Sequence, residues 1–281
     1  MVSIKQALKY ARPLVQNIST TPALDTEVLL GFVLQLSREQ LYANSDKQIS
    51  KRQYQEFQLL INKRAKEIPI AYLIGQQEFW SLKFSVNENV LIPRPETELL
   101  VETVLERYGA NRAYRVLDAG TGSGAIAVSL GSERHNWEIY ATDVSYPAIN
   151  IAKSNATSHC IMNINFICAD WLACFQRRSL DIIVTNPPYI SDVDIHLQGS
   201  IRFEPQSALI AKGNGMAHIT RIVAEAKEIL VPGGSILIEH GFEQGTQIAQ
   251  LLARHSFIKI ACLHDLAGLE RVTLGYLQDL V

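Results

Sequence analysis

Residues 115–128 read Arg-Val-Leu-Asp-Ala-Gly-Thr-Gly-Ser-Gly-Ala-Ile-Ala-Val. The apolar run before the glycines predicts a strand, and the run after them predicts a helix. Gly120, Gly122 and Gly124 permit a tight turn and the close approach of a ligand to the backbone. The spacing is G-x-G-x-G and not the dinucleotide pattern G-x-G-x-x-G, because position 125 is Ala. The segment therefore predicts an open α/β sheet with a ligand at this turn.

Two further predicted strands end in polar residues. Asp143 follows the run 137–142 and lies 19 residues past Gly124, where a carboxylate can accept from two ribose hydroxyls. Asp170 and Trp171 follow the run 164–169 and offer a polar group and a ring to an adenine. Because ligands bind outside the carboxyl ends of strands in such sheets, these residues predict a nucleoside site. A nucleoside without phosphates fits better than NAD, since the third glycine is displaced and no arginine closely follows Asp143.

A fourth predicted strand, residues 180–185, leads directly into Asn186-Pro187-Pro188-Tyr189. The prolines fix their φ angles and have no N–H, so the turn mainly presents acceptors. An Asn side-chain oxygen beside a proline carbonyl can take both hydrogens of a planar NH₂ group, which leaves the nitrogen lone pair free for an electrophile. Tyr189 offers a flat face to the amide or base that carries this nitrogen. The tetrapeptide alone also fits a structural turn, and the other strand ends favour a site.

In their order, these segments resemble the S-adenosylmethionine-dependent methyltransferases of the Rossmann-like class. More narrowly, the chain resembles the HemK/PrmC family, the peptide chain release factor N5-glutamine methyltransferases. The narrower resemblance rests on the segments 69–75, 79–84, 90–98, 204–209, 239–241 and 265–272. The stretch Arg-Pro-Glu-Thr-Glu at 94–98 discriminates best, since the Asn-Pro-Pro-Tyr turn is shared with many amino-methylating enzymes. One departure is visible at 211–217, where Ala-Lys-Gly-Asn-Gly-Met-Ala replaces a GG-x-D-G-L pattern in the substrate loop.

The resemblance implies an α/β fold, the Rossmann-like class I S-adenosylmethionine-dependent methyltransferase with a seven-stranded sheet. It implies a helical substrate-binding domain over 1–75, a β-hairpin linker over 76–93 and the methyltransferase domain over 94–281. Two last strands, 258–263 and 271–276, would form an antiparallel C-terminal hairpin. The implied reaction uses S-adenosyl-L-methionine to methylate N5 of the glutamine in the Gly-Gly-Gln motif of release factors, and it leaves S-adenosyl-L-homocysteine.

On this interpretation the predicted cofactor-binding residues are Gly120, Thr121, Gly122, Ser123, Gly124, Asp143, Trp171 and Asn186. The predicted substrate-binding residues are Asn186, Pro187, Pro188 and Tyr189, and Asn186, Pro187 and Tyr189 form the catalytic set. Asn186 Oδ1 and the Pro187 carbonyl hold the two amide hydrogens while Tyr189 packs on the amide plane. No strong general base is evident near Tyr189, so the proton is expected to leave to water.

Four further residues have two interpretations each. Arg94 and Glu96 can form a salt-bridged wall where the hairpin meets the catalytic domain, or they can line the entrance for the substrate glutamine. Glu239 and His240 end a predicted strand, where they can be rim residues, and a lone strand-end His is more often structural. None of the four belongs to the predicted catalytic set.

The N-terminal region shows helical patterns. Apolar residues at 4, 7, 8, 11, 14 and 15 predict one helix, and the stripe at 24, 28, 32, 33 and 36 predicts a second one that opens at Thr21-Pro22. Ser50 and Gln53 predict a capping box for a third helix. Residues 79–91 alternate as a hairpin with a turn at 87–89.

Composition agrees with a soluble enzyme. With 281 residues, of which 47% are hydrophobic, the chain is long enough for a large catalytic core and a small second domain. The formal net charge of −2 gives no global attraction to nucleic acid. No long apolar run or leader is present, which predicts a cytoplasmic protein without membrane contact. Four cysteines without C-x-x-C spacing predict reduced thiols and no metal. We also expect a monomer.

Charge divides unevenly along the chain. Residues 1–75 carry a formal charge of +4, and the remainder carries −6. The excess positive charge can serve an RNA-binding surface or an acidic partner, and a solvated helix surface explains it equally well.

Two other functions are compatible with parts of the sequence. A nucleic-acid amino methyltransferase acting on adenine N6 or guanine N2 uses a similar turn and would flip a base onto Tyr189. The near-neutral charge, the lack of a basic stripe and the segment 94–98 argue against it. A binding module that kept the fold without catalysis is opposed by the intact Asn186 and glycine turn.

Overall fold

The computed structural model describes residues 2–191 and 199–279. The chain divides into two compact units, Met1–Gln76 with His196–Phe203 and Gln77–Ile195 with Glu204–Val281. None of the helices in the described ranges combines the length and apolarity that crossing a membrane requires. Within the same ranges, no group of three or more His, Cys, Asp or Glu residues is placed to hold a metal ion.

The first unit is helical. Its helices are α1 (Ile4–Val15), α2 (Pro22–Leu34), α3 (Arg38–Ala43), α4 (Lys51–Arg64) and α5 (Ile70–Ile74), with a 3₁₀ turn at Gly199–Phe203. Its strands β1 (Val2–Ser3) and β2 (Gln48–Ile49) pair in antiparallel fashion. The capping box predicted from Ser50 and Gln53 is present and begins α4. Such a box satisfies backbone N–H groups that have no partner inside the helix.

The buried face of α2 differs from the predicted stripe. Leu24 and Phe32 are both 39% exposed, whereas Leu29 and Leu30 are fully buried. The predicted helix and its start at Thr21-Pro22 are confirmed, but apolar residues occur all round this helix, so that its periodicity does not identify the buried face. Glu27 lies on the buried side, where its carboxylate accepts from Arg12, Arg38 and Tyr42. These contacts compensate a charge that would otherwise be costly to bury.

The hairpin also differs from its prediction. The paired strands are β3 (Gln76–Phe79) and β4 (Leu82–Ser85). The turn is therefore at Trp80 and Ser81 and not at 87–89, where the sequence placed it. Trp80 and Ser81 have φ angles of 52° and 57°, and two consecutive left-handed residues match the twist of a two-residue hairpin. The carboxylate of Glu98 fixes this turn by accepting from the Trp80 backbone N–H at 2.8 Å.

The second unit is built on a seven-stranded sheet. Its remaining strands are β5 (Arg115–Ala119), β6 (Glu138–Asp143), β7 (Ile164–Cys168), β8 (Leu180–Thr185), β9 (Ile190–Ser191), β10 (Ile210–Ala211), β11 (Leu230–Glu239), β12 (Phe257–His264) and β13 (Glu270–Leu277). Its helices are α6 (Glu98–Arg107), α7 (Ala125–Glu133), α8 (Tyr146–Ser158), α9 (Ala217–Ile229) and α10 (Gly245–Arg254), with 3₁₀ turns at Pro95–Thr97 and Gln206–Ala208.

The order of the large sheet is β12-β13-β11-β8-β5-β6-β7. The pairs from β11 through β8, β5 and β6 to β7 are parallel. Strand β13 runs antiparallel to both β11 and β12. The predicted seven-stranded sheet with an antiparallel C-terminal hairpin is confirmed. The chain builds outward from β5 to β7 and then returns to β8 on the other side, so the strand order reverses between β5 and β8, where such folds bind ligands.

Both faces of this sheet are covered. On β5, Val116 belongs to a buried cluster that includes residues of α6 and α7, and Leu117 belongs to a second cluster that includes residues of α9 and α10. Successive side chains of a strand point to opposite faces, which explains this division. Consecutive buried apolar residues, Val116 and Leu117 in β5 and Ile182 to Val184 in β8, are typical of parallel strands buried on both sides.

Candidate active site

A cavity of about 380 Å³ opens at the carboxyl ends of the parallel strands. Of the sequence-predicted residues, the structure brings Gly120, Gly122, Asp143, Trp171, Asn186 and Pro188 to its wall. As far as the described residues define the wall, Thr121, Ser123, Gly124, Pro187 and Tyr189 are not part of it. The wall also includes residues 88–91, which follow the hairpin.

The three glycines of the β5–α7 turn differ in what surrounds them. Gly120, Gly122 and Gly124 have φ angles of +80°, +55° and +85°, which side chains disfavour. A Cβ atom on Gly120 would lie 2.9 Å from Cζ3 of Trp171, and one on Gly124 would lie 3.0 Å from Cβ of Ala152. Apart from its chain neighbours, no atom of residues 2–191 and 199–279 lies within 4 Å of the corresponding position at Gly122. The backbone is thus open to a ligand at Gly122 and packed against protein at the other two.

We expect Gly122→Ala to weaken binding of S-adenosyl-L-homocysteine by roughly tenfold or more, the scale of forcing a methyl group into an occupied site. Calorimetric titration measures this affinity. Gly268→Ala is the matched control, because Gly268 has φ +77°, its Cβ position is equally open, and it lies between β12 and β13. Both variants should lose similar stability, about 1–2 kcal/mol for a left-handed alanine. Equal loss of affinity in both would show that the open space at Gly122 is not used by the ligand.

Asp143 ends β6 and anchors the same turn. One carboxylate oxygen accepts from the backbone N–H of Gly122 at 2.9 Å, and the other accepts from Ser145 at 2.9 Å. Burial raises the pKa of Asp143, and the two backbone hydrogen bonds oppose this shift. Each oxygen has a further lone pair for a ligand hydroxyl. The arrangement therefore suits a ribose at the cavity wall.

Thr121 and Ser123 hold the turn from inside the protein. The Thr121 hydroxyl donates to Asp118 Oδ2 at 2.6 Å, and the Ser123 carbonyl accepts from Asn155 at 2.8 Å. Asp118 also accepts from the backbone N–H of Ala127 at 3.1 Å. Burial raises the pKa of Asp118 to about 7. These contacts shape the loop that presents Gly122 to the cavity.

Trp171 forms the part of the cavity wall beside Gly120. Its indole ring lies 5.4 Å, centroid to centroid, from the imidazole of His218, which also lines the wall. Burial, followed by the positive charge of Arg221, lowers the pKa of His218. The Asp170 carboxylate accepts from Arg221 at 2.7 Å. His218 was not predicted, because a single His on an amphipathic helix has no distinguishing pattern.

Asn186 lines the cavity and also hydrogen-bonds to a buried residue behind it. Its Nδ2 donates to Thr97 Oγ1 at 3.2 Å. Because Nδ2 makes this contact with Thr97, Oδ1 is the amide atom left to accept a hydrogen bond from a ligand. Asn186 and Pro188 line the cavity, and both prolines are buried.

Tyr189 is held through its backbone. Its carbonyl accepts from Gln244 Nε2 at 3.2 Å, and a Cβ atom on Gly215 would lie only 2.0 Å from the carbonyl oxygen. The segment 211–217, whose sequence differs from the GG-x-D-G-L pattern, therefore keeps a glycine where the backbone of Tyr189 requires one. Burial and the negative charge of Glu239 raise the pKa of the Tyr189 phenol. The side chain stays neutral, as an aromatic face for an uncharged amide requires.

The predicted pairing of Arg94 with Glu96 is corrected by the structure. Arg94 Nη2 lies 2.5 Å from Glu204 Oε1, and Glu204 Oε2 accepts from the backbone N–H of Ile92 at 3.0 Å. Glu96 is exposed. A buried carboxylate needs a cation and donors more than an exposed one does, which explains why Glu204 takes the arginine.

Glu239 and His240 are not rim residues. They are 1% and 0% exposed. The His240 ring hydrogen-bonds to the Gly241 carbonyl and the Thr273 hydroxyl, each at 2.8 Å, which supports its structural interpretation. Glu239 instead lies beside Asn186, since β8 and β11 are neighbours and Ile238 is in register with Thr185. The position of Glu239 at a strand end on the correct side of the sheet was the feature of the sequence that could have indicated this.

Solved structures share the fold. A ribosomal protein L11 methylase from Lactobacillus delbrueckii subsp. bulgaricus aligns with a TM-score of 0.50 at 22% identity, over 66% of this chain and 81% of that one. A methyltransferase from Pyrococcus furiosus aligns with a TM-score of 0.54 at 15% identity, over 79% and 98%. The sheet order and the glycine turn define the class I S-adenosylmethionine-dependent methyltransferase fold.

Family models and curated relatives identify the family within this class of methyltransferases. The model of the PrmC N-terminal domain matches residues 6–75, and the methyltransferase small domain matches residues 95–219. A release factor glutamine methyltransferase from Coxiella burnetii is 44% identical over 98% of this chain and 99% of its own length. Those from Shewanella oneidensis and Escherichia coli are 40% and 41% identical, over 99% and 92% of this chain and 97% and 93% of their own lengths. The chain belongs to the release factor glutamine methyltransferase family.

Proposed function

We propose that this chain transfers a methyl group from S-adenosyl-L-methionine to N5 of the glutamine in the Gly-Gly-Gln motif of peptide chain release factors. The observation that carries the proposal is the common cavity wall formed by Asn186, Gly122, Asp143 and Trp171. A hydrogen-bond acceptor for an amide NH₂ group therefore lines the same cavity as the residues that suit a nucleoside. Family membership supports the choice of substrate.

The residues of the cavity fit S-adenosyl-L-methionine. The volume of about 380 Å³ lies within the usual range for small-molecule sites. Gly122 leaves open space at the backbone, Asp143 has acceptor capacity for ribose hydroxyls, and Trp171 offers an aromatic surface for the adenine. We assign these three residues to donor binding, with Gly120, Thr121, Ser123 and Gly124 shaping the loop and Asn186 at its edge. When bound, the donor supplies a methyl group activated by a sulfonium.

Orientation of the glutamine amide is the main task of the protein. A carboxamide nitrogen is a weak nucleophile, because its lone pair is delocalised into the carbonyl. Fixing the reacting groups in one geometry can remove up to roughly 7–11 kcal/mol of barrier in well-oriented reactions. Asn186 Oδ1 and the Pro187 carbonyl accept the two N–H hydrogens, and Tyr189 packs on the amide plane, with Pro188 beside it.

Charge on the nitrogen explains why acceptors catalyse the step. Positive charge builds on the amide nitrogen as it is methylated, so its N–H groups become stronger donors in the transition state. Acceptors that are already in place therefore stabilise the transition state more than they stabilise the bound substrate. The Asn186 side chain already lines the cavity, and the two prolines that follow it fix the direction of the backbone. The N–H proton then leaves to water.

The domain assignment follows from the same proposal. Residues 1–75 bind the release factor, residues 76–93 form the linker, and residues 94–281 carry the reaction. The N-terminal region has a formal charge of +4, and it exposes Tyr10, Tyr42 and Leu59 by 53%, 59% and 56%. Exposed aromatic and apolar side chains support a protein contact there. We propose that the chain acts as a monomer and contacts no nucleic acid directly.

The decisive experiment compares acceptors. The purified protein and isotopically labelled S-adenosyl-L-methionine are incubated with purified release factor, with DNA or with rRNA. We expect label on the release factor, and a mass increase of one methylene on the tryptic peptide that bears Gly-Gly-Gln. Label on adenine N6 or guanine N2 would instead establish the nucleic-acid amino methyltransferase, and label on none of the acceptors would contradict both.

A further inference from the structure

The carboxyl end of β11 places a buried carboxylate beside the Asn186 corner. Ile238 of β11 is in register with Thr185 of β8. The next residues of the two parallel strands, Glu239 and Asn186, therefore lie side by side. Glu239 is 1% exposed, and among the residues that the structure describes its Oε2 has no hydrogen-bond partner. An unpartnered buried carboxylate oxygen is costly, and such a cost calls for an explanation in the chemistry of the site.

Thr97 connects this carboxylate to Asn186. Asn186 Nδ2 donates to Thr97 Oγ1 at 3.2 Å, and Thr97 is 4% exposed. Burial raises the pKa of Glu239 to about 7, while hydrogen bonds from Thr97 and Asn186 lower it. Asn186 and Thr97 therefore form a hydrogen-bonded pair behind the cavity wall, and the Glu239 carboxylate lies beside them at the end of the neighbouring strand.

The protonation state of Glu239 determines the direction of these hydrogen bonds. An ionised carboxylate only accepts, so the single hydroxyl hydrogen of Thr97 points to Glu239 and its oxygen accepts from Asn186 Nδ2. Oδ1 of Asn186 then faces the cavity. If Glu239 carries a proton, it can donate to Thr97, which in turn can donate to Oδ1. The amide is then reversed, and an NH₂ group would face the NH₂ of the substrate.

We propose that Glu239 and Thr97 are positioning residues that orient the Asn186 amide so that its oxygen faces the substrate. The proposal rests on the role of Asn186 given under the proposed function. Neither residue contacts the reacting atoms, since each acts through Asn186.

The groups around Glu239 determine where this orientation is lost with pH. Arg271 of β13 lowers the pKa of Glu239, and Glu96 raises it. The neutral Tyr189 phenol also faces the carboxylate, and the neighbouring His240 has its pKa lowered by burial. Because the ionised form is required, kcat should reach its full value well above pH 7 and fall as the pH drops through about 7. Glu96→Gln removes a charge that raises the pKa, so it should move this inflection to lower pH.

Kinetics with the full chain, S-adenosyl-L-methionine and purified release factor test the proposal. We expect Thr97→Val to lower kcat by about 10- to 100-fold, the scale of a lost hydrogen bond to a charged group, with little change in KM. Thr97→Ser should restore most of kcat, because it keeps the hydroxyl. Glu239→Gln should lower kcat and remove the inflection near pH 7.

Thr103→Val is the matched control. Thr103 is also 4% exposed, but its hydroxyl donates to the Leu99 carbonyl within α6. It should change kcat little and keep the pH profile. Equal kcat in Thr97→Val, Thr97→Ser and Thr103→Val, with an unchanged pH profile in Thr97→Val, would overturn the proposal.

A second measurement needs no methyl transfer. The side-chain NH₂ signals of Asn186 in a ¹H–¹⁵N spectrum are assigned by their loss in Asn186→Ala. In the wild type they should shift between the low-pH and high-pH forms of Glu239, and in Thr97→Val and Glu239→Gln this shift should be much reduced. A pH-independent signal in the wild type would contradict the proposal. If no methyl reaches the release factor, the proposed function fails, and this titration still decides the orientation of the amide.

Discussion

Asn186→Ala is expected to lower kcat by about 10² to 10³, the scale of losing one preorganised polar group at a reacting centre. The affinity for S-adenosyl-L-homocysteine should stay close to the wild-type value, because the glycine turn and Asp143 are held by their own hydrogen bonds. Single-turnover kinetics with release factor measures the methyl-transfer step, and calorimetry measures the affinity.

Asn165→Ala is the matched control for this variant, since Asn165 is an exposed residue of β7. It should transfer methyl groups at the wild-type rate. Wild-type turnover in Asn186→Ala would remove Asn186 from the catalytic set. A large loss of donor affinity without a change in the rate at saturating donor would reassign Asn186 to cofactor binding alone.

Asp143→Ala is expected to weaken donor binding most. The variant loses the acceptors for the ribose and also the anchor for the Gly122 N–H, which lies 2.9 Å from the carboxylate. Hydrogen bonds to charged groups contribute about 1.5–3 kcal/mol each, so the dissociation constant of S-adenosyl-L-homocysteine should rise about 10- to 100-fold. Calorimetric titration gives this value directly.

Asp46→Ala provides the comparison for Asp143→Ala, because Asp46 is exposed and lies in the helical unit. Its affinity should equal that of the wild type. Asp143→Asn keeps one acceptor oxygen and should fall between Asp143→Ala and the wild type. An unchanged dissociation constant in Asp143→Ala would exclude a ribose contact at this carboxylate.

Much of the sheet could be predicted from local patterns. The run 180–185 contains three consecutive buried apolar residues, Ile182, Ile183 and Val184, and its boundaries agree with β8. The family resemblance is confirmed by relatives that match nearly the whole chain. The hairpin turn was misplaced because Trp80 and Ser81 are not typical left-handed residues, and the contact of Trp80 with Glu98 that supports them is distant in sequence.

Part of the site could be predicted because its residues directly follow parallel strands. Gly122, Asp143 and Trp171 each follow a strand directly, and the parallel sheet brings their positions to one edge. The partners of Asn186 could not be found in this way, because Thr97 lies 89 positions away in sequence and follows no strand. Glu239 was visible as a strand-end residue, but its burial depends on the packing of β11 between β8 and β13.

The most direct test of the central claim is a crystal structure of the protein with S-adenosyl-L-homocysteine and a Gly-Gly-Gln peptide. We predict that the glutamine amide nitrogen lies within hydrogen-bonding distance of both Asn186 Oδ1 and the Pro187 carbonyl, on the side of the cavity that faces the sulfur. A peptide bound elsewhere, or an amide nitrogen turned away from Asn186, would contradict the account.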